Sequence, residues 1–270
     1  MKSHILSGRA VGFVRLCIRE AKDDRISIYA AQASFFVITS AIPFLSLLFS
    51  LTGLLLPRSD LIGQLIAGLP DSAAELIGTP SVPLLSISAA AALWTSSRGI
   101  SAVRAGIENV YRADVPEGFI RRRVRSVVST LFFILIIVSY AAVMLFGNHL
   151  AGFLPERIAG MLKSLGTPFF IVVMTVLFTS VYLSVAQRST SVSRNLSAHL
   201  PGAVLSSSGW VIFSLLYTFY IDNFPRASAV YGGLAAVCLI MLWLYFCMVI
   251  LLFGAVFNRI RQRQKSKRRS

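Results

Sequence analysis

The sequence is poor in charge, in acidic residues and in cysteine. Of its 270 residues only 14% are charged, 11 are Asp or Glu, and three are Cys. A soluble domain ordinarily has about 25% charged and about 45–50% apolar residues, whereas 56% of this chain is hydrophobic. An ordinary soluble enzyme is excluded, because a core of this size could not bury so much apolar surface. Disorder and a disulfide scaffold are excluded by the same figures.

The sequence also lacks the motifs that would carry chemistry. It contains no Walker A sequence, no GxGxxG, no HExxH and no GxSxG. Its three histidines, His4, His149 and His199, are far apart, and no Cys/His spacing typical of a metal site occurs. The sequence therefore predicts no catalytic residue, no metal site and no cofactor, and a protein that is not an enzyme.

Six long apolar stretches interrupt this chain, and none of its 37 charged residues lies inside them. The stretches contain 27, 22, 21, 19, 21 and 29 residues, and they are Ala30–Leu56, Leu76–Ser97, Ser126–Phe146, Pro168–Ala186, Pro201–Ile221 and Ala229–Phe257. A helix needs about 20 such residues to cross the hydrocarbon layer. We predict an all-α fold, a polytopic membrane helix bundle of six transmembrane helices with amphipathic interfacial helices.

The net charge of +15 is distributed unevenly between the segments that join these stretches. Residues 1–29, 98–125, 187–200 and 258–270 hold 6, 7, 2 and 7 Lys/Arg, whereas the three other loops hold 1, 2 and 1. Cytoplasmic loops are enriched in Lys and Arg. We therefore predict that both termini are cytoplasmic, and we retain the weakest span, Leu76–Ser97, because removing it would place four arginines between 121 and 125 on the opposite side.

The regions at the two ends of the chain predict contacts with the membrane surface. We divide the chain into a cytoplasmic amphipathic arm (1–29), a six-span membrane domain (30–257) and a basic cytoplasmic tail (258–270). An apolar stripe in the arm predicts an interfacial helix. The alternative is a solvated basic arm. The residues of the stripe are Leu6, Ala10, Phe13, Cys17 and Ala21. A second amphipathic helix is predicted after the weak span, at about residues 98–112, on the membrane or under the bundle.

The tail carries seven Lys/Arg in its last twelve residues without an interleaved aromatic residue. Because no aromatic ring is available to stack on bases, we predict no nucleic-acid partner. The predicted partners are membrane lipids with anionic headgroups at the cytoplasmic face. Self-association as a homo-oligomer is compatible with the sequence as well.

Several residues in or beside the spans are candidates for a pathway or for close packing. Gln32 is a polar residue near the start of the first span, and it could line a path or bond a neighbouring helix. Pro43 should kink that span because it removes a backbone donor. Gly202 and Ser206 form a small-xxx-small pair, and Pro225 should separate the last two helices. Tyr231, Gly232 and Gly233 open the last span, where we expect close packing rather than a hinge.

Three blocks of the sequence resemble the YihY/virulence factor BrkB family of bacterial inner-membrane proteins. The first block is AAQASFFVITSAIPFLSLLFSL, the second is WTSSRGISAVRAGIENVYR with Arg98 and Gly99, and the third is NFPRASAVYGGLAAVCLIMLWLYFCMVILLFGAVFNR with Asn223, Gly254 and Asn258. The blocks occur in family order and cover about residues 20–260. The resemblance implies six spans, cytoplasmic termini and a location in the inner (plasma) membrane.

The resemblance leaves the molecular activity open. Relatives have been connected with transport of lipids or amphiphiles and with other envelope roles, and an old label, ribonuclease BN, is in our interpretation a misassignment. We predict a transporter or flippase-like facilitator of a lipid or amphipathic solute. The alternative is a non-transporting envelope scaffold that binds anionic lipids or proteins, and a membrane-bound nuclease has little support.

Overall fold

The computed structural model describes residues 2–55, 82–113, 156–187, 189, 192–193, 195–223 and 226–267. Within these ranges the chain forms helices joined by short turns and contains no strand. Six α-helices follow one another: α1 (Lys2–Asp23), α2 (Ile26–Leu55), α3 (Val82–Tyr111), α4 (Glu156–Ala186), α5 (Leu196–Asn223) and α6 (Arg226–Lys267). The predicted all-α class is confirmed for the part of the chain that is described.

Three of these helices are long and apolar enough to cross a membrane. The qualifying segments are Pro168–Ala186, Leu196–Asn223 and Ala235–Lys267, and Ile26–Ala41 is a shorter apolar segment. The three long segments coincide with the fourth, fifth and sixth predicted spans, in that order. The shorter segment coincides with the beginning of the first predicted span. The second predicted span, Leu76–Ser97, lies largely in α3, which is not among these segments, and the third, Ser126–Phe146, lies outside the described residues. The count of six spans therefore stays a prediction.

Helix boundaries follow from local backbone chemistry. Arg25 and Arg112 have φ values of 51° and 49°, in the left-handed region that ends a helical run. Arg25 lies in the two-residue turn between α1 and α2, and its N–H donates to the Lys22 carbonyl at 3.0 Å. Helix α5 ends at Asn223 and α6 begins at Arg226, and the two helices pack against each other, which confirms that they are separate helices.

Helix α3 differs from the prediction that a separate amphipathic helix follows the weak span. It runs without interruption from Val82 to Tyr111, through Arg98 and Gly99. The expectation of a distinct helix from about residue 98 is therefore wrong. The change from an apolar to an amphipathic sequence alters what surrounds the helix, but it supplies no backbone signal that would end it.

The helices pack as a pair and a trio that meet at one end. Helices α2 and α3 pack extensively against each other, α5 packs against α4 and α6, and α6 also contacts α1, α2 and α3. The buried apolar core lies where the pair meets the trio, and includes Ala30, Ile107, Leu252 and Val256. We name this region the basic end, because the first turns of α2, the last turns of α3 and α6 and the arginines of those turns lie there.

Helix α1 uses its predicted apolar stripe to pack against the protein. Cys17 and Ala21 are buried, and the Phe13 ring meets the Phe257 ring of α6 edge to face, with centroids 5.5 Å apart. All three cysteines are free thiols. Cys247 is buried and Cys238 is exposed, as expected for two residues on opposite faces of α6.

Candidate functional site: a buried polar junction

A buried arginine ties three helices together at the basic end. Arg259 of α6 is fully buried, and its Nη1 donates to the Val110 carbonyl at 2.6 Å at the end of α3. Its Nη2 donates to Glu20 at 2.7 Å and also to Asp24, in the turn after α1. Such a charge is stable in an interior because two carboxylates and a carbonyl replace its water.

Asp24 is a shared partner in this arrangement. The Asn109 side chain donates to its backbone carbonyl at 2.7 Å, which fixes the turn against α3. Burial raises the pKa of the Asp24 carboxyl, and the guanidinium of Arg259 opposes that effect. We place the carboxylate, not the neutral acid, opposite Arg259, since a fully buried guanidinium is stabilised by a negative charge beside it.

Two amide side chains of α6, one turn apart, form hydrogen bonds with the backbone at the beginning of α5. The Asn258 side chain accepts from the Gly202 N–H at 2.8 Å and donates to the His199 carbonyl at 2.9 Å. The Gln262 side chain accepts from the Ser193 N–H at 2.7 Å. These side chains thus pair with backbone groups in the first two turns of α5 and just before it, and they tie the start of α5 to α6.

His199 joins α5 to the end of α3. It is fully buried, and its Nε2 lies 2.8 Å from the Ser193 carbonyl. Because a carbonyl can only accept, Nε2 carries a proton, and in the neutral imidazole Nδ1 accepts from the Tyr111 hydroxyl at 3.1 Å. Ser189 then donates to the Tyr111 carbonyl at 2.5 Å. We call the residues of these three networks the polar junction: Glu20, Asp24, Tyr111, His199, Asn258, Arg259 and Gln262.

Close contact between α5 and α6 continues from the polar junction toward the middle of the bundle. A Cβ on Gly254 would lie 2.6 Å from both the Gly202 carbonyl and the Tyr182 hydroxyl, and closer still to Ser206 Oγ. The Tyr182 hydroxyl donates to the Leu251 carbonyl at 2.6 Å and lies 2.9 Å from Ser206 Oγ. The small pair at 202 and 206 therefore lies at a helix contact, as its spacing predicted.

The polar side chains of α2 behave differently from those of the polar junction. Ser34 and Ser40 donate to carbonyls of their own helix, those of Ala30 and Val37. Gln32 is exposed. In the part of α2 whose side chains are described, these groups do not converge on a common point.

The structure distributes the ten sequence-predicted site residues over both ends of the bundle. Two of them lie together against Gly202: Asn258, which belongs to the polar junction, and Gly254, which lies beside it. Arg98 lies 5.0 Å from the centroid of the Phe36 ring, and Gly99 is buried against Ala33 and Val37 of α2. Pro43 lies inside α2, and the amide of Asn223 donates to the Phe219 carbonyl of its own helix at 2.8 Å.

The remaining three, Tyr231, Gly232 and Gly233, lie in the first turns of α6, and their side-chain surroundings are outside the described part of the structure. The sequence reasoning missed Glu20, Asp24, Tyr111, His199 and Arg259. A usable signal was present, because Asp24 and Glu20 are two of only 11 acidic residues and both lie next to a span.

Within the described ranges, no group of three or more His, Cys, Asp or Glu residues could hold a metal ion. The chemistry available at the polar junction is that of a salt bridge and hydrogen bonds. It holds α1, α3, α5 and α6 together through side-chain contacts.

Comparison with known proteins gives a consistent picture. The sequence model described as Virulence factor BrkB matches residues 17–270. The ribonuclease-like protein YfkH of Bacillus subtilis (strain 168) is 26% identical over 251 residues, which are 87% of this chain and 90% of YfkH. A UPF0761 membrane protein of Vibrio campbellii is 39% identical over 57 residues, which cover 20% of this chain and 18% of that protein. A UPF0761 membrane protein of Alteromonas mediterranea is 37% identical over 57 residues, 21% of this chain and 19% of the relative. No solved structure matches.

Proposed function

Since this chain belongs to the virulence factor BrkB family, a family of membrane proteins, we propose that it is a six-span protein of the bacterial inner membrane that moves a lipid or another amphipathic solute across the bilayer. Both termini lie in the cytoplasm in this proposal. The basic end then faces the cytoplasm, and the polar junction lies at the cytoplasmic ends of the helices.

The observation that carries the proposal is the change from buried to exposed along α6, together with the exposed apolar half of α5 beside it. Near the polar junction α6 is largely buried, from Cys247 to Ile260. Farther away the two helices expose large apolar side chains, among them Leu215, Phe219, Ile240 and Leu242. A bundle that is closed by polar contacts at one end and apolar at the other suits a path for a molecule with a polar head and an apolar tail.

A second function, that of a non-transporting scaffold, is favoured by the polar side chains of α2. Gln32 is exposed, and the described serines of α2 bond to their own helix. A path lined by this helix would instead place such groups toward a common interior. The two proposals differ in whether the purified protein moves lipid.

Reconstitution into liposomes with a fluorescent phospholipid tests the transport proposal. Dithionite destroys the fluorophore in the outer leaflet alone, so a further loss of signal measures movement between leaflets.

We expect the loss of fluorescence to depend on the protein. We expect it to be faster for Asp24→Asn, because this change weakens the contacts at the basic end while Glu20 still pairs with Arg259. The control is Asp23→Asn, one residue away, whose carboxylate contacts Arg19 at 3.9 Å in an exposed pair. Loss no faster than in protein-free liposomes for all three proteins would favour the scaffold.

We also propose that the protein has no ribonuclease activity, although YfkH carries a ribonuclease-like name. A metal-dependent nuclease needs several ligands that converge on one ion. We expect no RNA cleavage by the purified protein with Mg²⁺, Mn²⁺ or Zn²⁺. Cleavage that remains after replacement of His4, His149 and His199, and that elutes together with the protein, would contradict this proposal.

A further inference from the structure

Helix α1 has a second apolar face that the protein does not cover. Val11, Val14 and Ile18 are 57%, 53% and 48% exposed. Their spacing of i, i+3 and i+7 places them on one side of the helix. The stripe of Phe13, Cys17 and Ala21 lies on a different side and packs against the core. Packing against the bundle therefore explains why one face of α1 is apolar. It does not explain why the second face is apolar.

Cations border this exposed face. Arg15 is four residues after Val11, and Lys22 is four residues after Ile18, so each lies beside an apolar side chain. Arg15, Arg19 and Lys22 are exposed, and Arg19 pairs with Asp23. Positive charge next to valine and isoleucine complements one partner in particular, a bilayer surface with anionic headgroups.

The chain places α1 directly before the helix that contains the first apolar stretch and against the end of α6. Helix α1 ends at Asp23, and α2 begins only three residues later, at Ile26, before it enters the first apolar stretch at Ala30. The carboxylate of Glu20 contacts both Arg259 and Arg263, which holds α1 against the end of α6. Helix α1 is thus fixed beside the point where two helices leave the apolar region.

We propose that the face formed by Val11, Val14 and Ile18 lies in the headgroup region of an anionic leaflet, with Arg15 and Lys22 at the lipid phosphates. This inference rests on the proposed orientation, in which the basic end lies at the cytoplasmic surface. It assigns the membrane-binding role to a face that differs from the stripe expected to have it, because that stripe is used for packing.

Site-specific fluorescence in nanodiscs tests the assignment. A single cysteine is placed at Val14→Cys or, as the matched control, at Leu16→Cys. Leu16 is an exposed apolar residue on another side of the same helix, with 38% exposure. The full-length chain carries Cys238→Ser, and the remaining native thiols, Cys17 and Cys247, should stay unlabelled because both are buried; burial also raises the pKa of the Cys17 thiol. An environment-sensitive fluorophore is attached, and nanodiscs contain phosphatidylcholine alone or with one third phosphatidylglycerol.

We expect the probe at position 14 to be protected from iodide and quenched by brominated lipid, and the probe at position 16 to show the reverse. The contrast should grow with phosphatidylglycerol and shrink when Arg15, Arg19 and Lys22 are all replaced by Gln. Equal iodide quenching at both positions would overturn the proposal. So would protection at position 14 without quenching by brominated lipid, since a protein would then cover the face.

Lipid movement by the same labelled proteins separates this proposal from that of transport. Lipid contact at position 14 without lipid movement would support the docking face and count against transport. Lipid movement with an iodide-accessible position 14 would overturn the docking face alone.

Discussion

Arg259 shows how much of this fold depends on one residue. Its guanidinium contacts Glu20 and Asp24 and the carbonyl of Val110, so it links α6 to the α1–α2 turn and to α3. Arg263, one turn later, contacts Glu20 at 3.5 Å but is 38% exposed. Two arginines on one helix share Glu20 as a partner, but only Arg259 is fully buried and also contacts Asp24 and the Val110 carbonyl.

We expect Arg259→Met to lower the free energy of unfolding by about 3–5 kcal/mol, because it leaves the Asp24 carboxylate buried without its cation. Arg263→Gln should change it by at most about 1 kcal/mol, since exposed ion pairs contribute little. Thermal unfolding of both variants in the same detergent measures the difference. Equal melting temperatures would show that the buried contacts do not stabilise the fold.

Gly254 provides a second test at the scale of one residue. We expect Gly254→Ala to destabilise the protein by about 1–3 kcal/mol, because the new Cβ would overlap Ser206, Gly202 and Tyr182. Gly12→Ala is the control, because nothing lies within 4 Å of a Cβ at this exposed helical position. It should be neutral or stabilising by up to about 1 kcal/mol. A melting temperature for Gly254→Ala at or above that of the parent would contradict the close approach.

At the scale of whole elements, α1 combines two apolar faces with different roles. The face that contains Phe13 packs on Phe257 of α6, whereas the face that contains Val11 is exposed. Helix α6 has a complementary division, since residues 251–260 are largely buried beside the polar junction and most of residues 236–246 are exposed. At 42 residues it would be about 63 Å long at 1.5 Å per residue, about twice the hydrocarbon thickness.

The two faces of α1 predict opposite responses to truncation. We expect Phe13→Ala to lower the free energy of unfolding by about 1–3 kcal/mol, because a half-buried ring loses its contacts. Val11→Ala should leave it unchanged within about 0.5 kcal/mol, since no packed contact is removed. Melting in detergent micelles compares the two variants. A larger effect of Val11→Ala would mean that α1 is oriented differently on the bundle.

At the scale of the whole molecule, the distribution of cations predicts the orientation in the membrane. We expect a cysteine at Ser266 to react from the cytoplasmic side and a cysteine at Ser59 from the opposite side, because 22 of the 26 Lys/Arg would then face the cytoplasm. Labelling of intact cells and of inverted vesicles with a membrane-impermeant maleimide distinguishes the sides. Labelling of both positions from one side would rule out the six-span arrangement.

The sequence alone determined the helical class, the membrane character and the helix contact at Gly202 and Ser206. It also located the separation of α5 from α6. Each of these depends on composition or on neighbours within a few residues, such as Pro225 or a spacing of four. For the same reason it failed at α3, where a change in amphipathicity resembled a boundary although no residue there interrupts the helix.

The tertiary structure alone decided the polar junction and the orientation of α1. Arg259 and Asp24 are 235 positions apart, and Tyr111 and His199 are 88 apart, so no local pattern pairs them. Periodicity shows that a helix has an apolar stripe, but not whether protein or lipid covers it, because both environments favour the same side chains. The choice between them depends on which helices become neighbours, and only the assembled bundle contains that information.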